Sequence, residues 1–276
     1  MEIINHDVEL KDMSTEEIRV WAKCLPRDNV ILLKNQECEK EDLARIYGAI
    51  GRVCMPVDLK TGHKEFFADD DYPQLMRVTN ERKDGEKIGI FADKELDWHS
   101  NGNARNQGKE CCVALYCVRE GMNTITSFAD MRQAYRDLPK DIKKEVDDIE
   151  CLYKFENGTF YDLEEDDKEL EMFENRGVYK DGVRRPLVYT HPYDGDNGLY
   201  YTFHYIKEAF NTTRWEELYK YLMKHCFQEK YIAHHHWSAG DLIFMDQFHS
   251  LHKRNAVEGE RLLYRTALDY RKSFAR

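Results

Sequence analysis

The sequence predicts an α+β chain, a β-rich barrel or sandwich with helices packed outside it. Two observations carry this expectation. The last third holds a series of short strand-like runs separated by turn residues, and the first half alternates capped helices with single apolar strands. A third observation sets the domain count: no repeat, low-complexity linker or change of composition divides the 276 residues. One domain spanning 1–276 is therefore expected.

Each element has its own signal. Ser14 and Thr15 precede Glu16-Glu17 in a capping pattern, ahead of an apolar-periodic run that reaches Leu25. Residues 29–34 form a short apolar strand, Glu39 to Ile50 returns to helical spacing, and Gly51 ends that helix. Pro73 to Thr79 reads as a strand and Asn80 to Lys87 as a polar turn. Cys111 to Arg119 is apolar and β-rich, as a central strand would be. Phe128 to Leu138 and Asp141 to Ile149 read as amphipathic helices separated by Pro139. The charge run Glu164 to Glu171 suits a solvated loop or helix face. The late strands are Leu187 to Thr190, Leu199 to Phe203, His234 to Trp237, Asp241 to Met245 and Arg261 to Tyr270. The helix Thr213 to Cys226 interrupts them.

Composition narrows the function. The chain is 42% apolar and 34% charged, and no run of about 18 uncharged apolar residues exists to cross a membrane. The acidic start lacks the apolar stretch of a secretory signal. Eight cysteines are scattered without a C-x-x-C pair, which fits buried thiols in a reduced, cytoplasmic protein. Adjacent Cys111 and Cys112 would face opposite ways on a strand and make a poor metal pair. A net charge of −11 lacks the footprint of a nucleic-acid binder, although Lys253-Arg254 leaves room for a local basic patch. A small-molecule substrate is the expected partner, and the oligomeric state is unspecified.

Three separated pieces could carry chemistry: Asp97 to Gly102, Asp246 to His252, and Glu260 to Arg265. Mononuclear iron oxygenases hold their metal with two histidines and one carboxylate on one face, leaving positions for other ligands. A histidine followed two residues later by an oxygen ligand suits this, because i and i+2 on an extended segment share a face. His99 and Asn101 have that spacing, and a histidine far along the chain would complete the set. Asp97, at i−2, could share the same face and substitute as a ligand. Arg261 and Arg265 also share a face if they lie on a strand. The run His234-His235-His236 looks like a metal site, but on a strand only the outer two share a face, and they read as solvent-facing.

The chain resembles the taurine dioxygenase family, which includes 2,4-dichlorophenoxyacetate dioxygenase and clavaminate synthase. The resemblance runs through Val30 to Leu33, Trp98-His99, Thr126 to Pro139, Pro186 to Pro192, Trp237 to Ile243, Asp246 to His252 and Arg261 to Arg265. It implies a double-stranded β-helix, a jelly-roll or cupin-like core with flanking helices. It also implies Fe(II), 2-oxoglutarate and dioxygen as metal and cosubstrates, with oxidation of a small molecule and release of succinate and carbon dioxide. By resemblance, His99 and His252 match the iron-binding histidines and Thr126 matches a 2-oxoglutarate contact. Arg261 matches the arginine that forks onto the distal carboxylate. Arg265 matches a position used for an anionic substrate group or for the oxoacid itself, and His191 matches a scaffold residue.

One departure stands out: Asn101 occupies the place of the family's iron-binding carboxylate. An amide oxygen is a weaker Fe(II) ligand than a carboxylate and leaves one more positive charge on the site. Asn101 therefore reads as a weak ligand in a working oxygenase, or as an open position suited to chloride in a halogenase. It also reads as the mark of a silent ligand-binding relative, or as a change introduced to trap a complex.

Overall fold

The computed structural model describes residues 1–54, 67–91, 93–101, 111–154 and 182–269. The charge run Glu164 to Glu171 and the end of the last strand at Tyr270 lie outside the described residues. Nine strands build the core. They are β1 (Val30–Leu33), β2 (Met76–Thr79), β3 (Leu96–His99), β4 (Cys112–Arg119), β5 (Ile125–Asp130), β6 (Ile232–His236), β7 (Leu242–Asp246), β8 (Ser250–Arg254) and β9 (Leu262–Asp269).

They form two facing sheets. The larger runs β1-β7-β4-β9, with β2 also paired to β9 and the two-residue strands Ile4–Asn5 and Arg52–Val53 at its ends. The smaller runs β6-β5-β8-β3. This is the expected double-stranded β-helix.

The apolar strands of the larger sheet are buried on both faces, which explains their unbroken apolar runs. In β1, Ile31 and Leu33 join a cluster with Leu43, Ile46, Tyr47 and Ile50 of helix α2 (Lys40–Ile50). Val30 and Leu32 of the same strand face the other way, into a cluster with Ile243, Met245, Leu263 and Phe128. The alternation in β7 is the same, with Phe244 in the helix-side cluster.

Helix α1 (Thr15–Trp21) begins at the expected capping box. Ser14 Oγ accepts from Glu17 N at 3.3 Å, and Glu17 Oε2 accepts from Ser14 N at 2.8 Å. Behind the smaller sheet, helices α3 (Met131–Arg136) and α5 (Trp215–Cys226) contribute Met131, Ala134, Leu218 and Leu222 to a third cluster that includes Leu251. Helix α4 (Lys140–Asp147) adds Val146 to the same cluster.

Some elements differ from the sequence reading. Phe128 to Asp130 is not the start of a helix but the end of β5, and α3 begins only at Met131, capped by Asp130. Leu199 to Phe203 is not a strand: Asn197–Leu199 pairs with Val188–Thr190, and a 3-10 turn follows at Phe203–Tyr205. The turn from Asn80 to Lys87 contains a small hairpin. Asp84 and Gly85 hold its tip at φ 53° and 85°, the conformation a two-residue hairpin turn demands. All eight cysteines are free thiols, as the scattered spacing implied. Among the described residues no helix is long and apolar enough to cross a membrane.

Candidate active site

The site is delivered by the smaller sheet. His252 of β8 sits directly opposite His99 of β3, and the two rings lie 4.2 Å apart, centre to centre. Two residues farther along β8, Arg254 is opposite Leu96, so two residues on one strand span three on the other. This bulge changes which side chains of β3 turn inward. Leu96 and His99 both line the interior cavity.

Asp97 does not. Its carboxylate pairs with His204 Nε2 at 3.0 Å and accepts from Trp98 N at 2.7 Å. The hydrogen bond from His204 holds its carboxyl below the usual range. Asp97 instead serves the site through its main chain: its carbonyl oxygen lies 2.6 Å from His99 Nδ1. A carbonyl only accepts, so Nδ1 carries the proton and Nε2 keeps its lone pair, the tautomer a metal ligand needs.

A tight turn presents His252. Asp246, buried at the end of β7, accepts from Phe248 N at 2.7 Å and His249 N at 2.6 Å. Its other oxygen lies 3.1 Å from His191 Nε2. Although burial pushes this carboxyl up, His191 and the main-chain N–H of His249 hold it below the ordinary carboxylate range. His191 is therefore scaffold, as the sequence suggested.

His249 is braced as well. Arg132 Nε donates to its Nδ1 at 3.2 Å, and its Nε2 donates to Tyr189 O at 2.9 Å. A glycine is required beside it, because a Cβ on Gly198 would lie 2.5 Å from the His249 ring.

These elements line a cavity of about 50 Å³. It brings together every site residue expected from the sequence: His99, Asn101, Thr126, His252, Arg261 and Arg265. Apolar walls come from Val78, Phe91, Val113, Leu115 and Leu263.

Burial holds His99 neutral, pushing it down to about 4, and burial with His99 and Arg265 nearby also pushes His252 well below the usual histidine range. Neutral imidazole is the ligating form. His252 Nδ1 is buried without a hydrogen-bond partner among the described residues, a position a metal ion or bound ligand would explain. The donor set, two neutral imidazoles and an amide, fits a divalent first-row metal.

Thr126 and Arg261 are set for a carboxylate. Trp237 Nε1 donates to Thr126 Oγ1 at 2.8 Å, which leaves the threonine's own proton to donate elsewhere. Arg261 is almost fully buried, and its Nε and Nη2 have no partner among the described residues. Burial, with Arg254 nearby, pulls its guanidinium well below the usual arginine range. An unpaired buried charge costs several kcal/mol, and a carboxylate on its fork would offset that cost.

Two residues at the site were given no role there from the sequence. Arg254 lines the cavity, with Nη2 donating to Phe91 O at 2.9 Å and also to Lys94 O. Strand alternation turns neighbouring Lys253 the other way, 5.4 Å over the Trp98 ring, so the two do not form one basic patch. The spacing from His252 was the available signal. Gln247, buried beside the site, hydrogen-bonds to Asn101, and its sequence gives no local signal for this.

The histidine run is not part of the site. His234 and His236 are exposed, and buried His235 lies 3.0 Å from Asp241 and edge-on to Trp237. Another grouping, His6, Cys24 and Asp28, has its ligand atoms close together, but the Trp21 indole donates to His6 Nδ1 at 2.9 Å. His6 Nε2 then carries the proton, and Arg27 pairs with the Asp28 carboxylate at 2.5 Å. That group is a hydrogen-bonded cluster without an open lone pair on the imidazole.

A profile of the family described as taurine catabolism dioxygenase TauD, TfdA family matches residues 4–267. The chain belongs to the TauD/TfdA family. Among family relatives, the α-ketoglutarate-dependent 2,4-dichlorophenoxyacetate dioxygenase of Cupriavidus pinatubonensis is 24% identical. That alignment covers 95% of this chain and 93% of the relative. Pentalenolactone F synthase of Streptomyces arenae is 25% identical over 69% of this chain and 67% of its own length.

Solved structures share the fold. A taurine dioxygenase from Burkholderia xenovorans matches with a TM-score of 0.72 at 19% identity, covering 97% of this chain and 86% of that one. AAD-2 in complex with Mn(II) and N-oxalylglycine matches with a TM-score of 0.73 at 19% identity, covering 96% and 94%.

Proposed function

We propose that this chain is an Fe(II)- and 2-oxoglutarate-dependent oxygenase that hydroxylates a small molecule, with release of succinate and carbon dioxide. The observation that carries the reading is the meeting of His99, Asn101, His252, Thr126 and Arg261 in one cavity. His99, His252 and Asn101 would hold the metal, and Arg261 with Thr126 would hold the oxoacid. Bound metal and oxoacid supply the oxidising chemistry, with dioxygen as cosubstrate. The protein's part is to position the target C–H bond and exclude water, using the apolar wall around the histidines.

The cavity is lined by Arg254, Arg261 and Arg265 but by no carboxylate among the described residues. Arg261 suffices for the distal carboxylate of 2-oxoglutarate. By the resemblance, Arg265 stands where an anionic substrate group or the oxoacid is held, and a substrate with an acidic group suits that position. The relatives named for 2,4-dichlorophenoxyacetate and (S)-phenoxypropionate are consistent with this, since both compounds are carboxylic acids.

Asn101 is buttressed by Gln247, which favours a ligand over an open chloride position. The test is succinate formed by wild type and Asn101→Asp, each with and without chloride. The wild type is expected to form succinate without chloride, and Asn101→Asp to match or exceed it. A chloride requirement that Asn101→Asp abolishes would support a halogenase instead. A silent wild type beside an active Asn101→Asp protein would reject the proposal.

A further inference from the structure

We infer that Gln247 is a positioning residue: it specifies an amide at position 101 and leaves the carbonyl oxygen of Asn101 as the end offered to the histidine pair. The inference rests on the reading of Asn101 as a metal ligand. It deepens that reading by naming the residue that makes an asparagine, rather than an aspartate, the side chain that fits.

The orientation of Gln247 is set by main-chain groups that cannot change roles. Its Nε2 donates to Met245 O at 3.2 Å and to Asp246 O at 3.3 Å. Its Oε1 accepts from the main-chain N–H of Asn101 at 2.8 Å. Turning the amide over would set an oxygen against two carbonyls and an NH₂ against an N–H. The residue is 2% exposed, so water cannot repair that mismatch. The main chain of Gln247 is held too, its N–H donating to Cys111 O at 3.0 Å.

The fixed Oε1 then orients Asn101. Asn101 Nδ2 lies 3.2 Å from this same oxygen, so the NH₂ end of Asn101 faces Gln247. An aspartate there would place an oxygen against an oxygen, and Gln247 is held from turning a donor toward it. Asn101, in the place where the family pattern has a carboxylate, is therefore matched to a second amide, and without a metal the surroundings of position 101 fit the neutral residue better than an aspartate.

The test uses Co(II) binding, followed by visible absorption in the absence of 2-oxoglutarate, on wild type, Gln247→Met, Asn101→Ala and the double variant. Gln247→Met is expected to weaken Co(II) binding roughly tenfold, as loss of a ligand's hydrogen-bond partner does. Asn101→Ala should weaken it at least as much, and the double variant should bind no worse than Asn101→Ala alone. Wild-type affinity in Gln247→Met, or the same weakening in both backgrounds, would overturn the inference and leave Gln247 a packing residue. Unchanged affinity in Asn101→Ala would instead remove the ligand reading itself.

A second measurement needs no change at Gln247 and no metal. Metal-free Asn101→Asp should melt roughly 2–4 °C below wild type. An equal or higher melting temperature would overturn the matched-amide argument.

Discussion

Replacing His99 or His252 with alanine is expected to abolish iron binding, whereas His235→Ala leaves it intact. The two rings face each other across paired strands at 4.2 Å, both buried and held neutral. Removing one leaves a single imidazole and an amide. Because losing even a hydrogen-bond partner behind a ligand costs about 10–100-fold in metal affinity, losing a ligand outright should exceed about a hundredfold. His235 stands apart, paired with Asp241 and packed on Trp237. Iron per folded protein after gel filtration, measured by metal analysis, distinguishes the variants. Equal loss in His235→Ala would move the site to the histidine run.

The second large effect is on the oxoacid. Arg261→Ala should weaken 2-oxoglutarate binding roughly ten- to a hundredfold, corresponding to about 1.5–3 kcal/mol for a charge-assisted, bidentate partner. The guanidinium has buried donors without partners among the described residues, so a carboxylate gains hydrogen bonds there without displacing existing ones. Arg261→Lys should recover part of the loss, because the charge remains while the fork does not. Calorimetric titration of 2-oxoglutarate into the metal-loaded proteins measures both. Equal binding by wild type and Arg261→Ala would place the oxoacid elsewhere.

How far the sequence carried the fold depended on where each signal was local. The two-faced burial of β1 and β7 produces unbroken apolar runs, and these strands were legible. Ser14 and Glu17 announced α1 by their spacing alone. In contrast, β8 reads Ser-Leu-His-Lys-Arg, a polar strand whose inward face is functional rather than apolar, so periodicity could not reveal it.

Phe128 misled for a related reason. It lies three residues before Met131, so the apolar spacing of α3 continues into β5, where Thr126 and Phe128 alternate toward the interior. At the site, motif order located the histidines and arginines. The bulge that turns Asp97 onto His204 arises from the pairing of β3 with β8, and the contact of Gln247 with Asn101 spans 146 positions. Neither has a local trace.

The central claim, that an iron–oxoacid site forms around Asn101, is tested most directly by anaerobic titration of Fe(II) into the protein with 2-oxoglutarate, followed by visible absorption. The account predicts a metal-to-ligand charge-transfer band that saturates at one iron per chain, is missing in His252→Ala, and needs roughly ten- to a hundredfold more 2-oxoglutarate in Arg261→Ala. Wild-type protein that gives no such band, at iron and oxoacid concentrations that saturate Asn101→Asp, would contradict it.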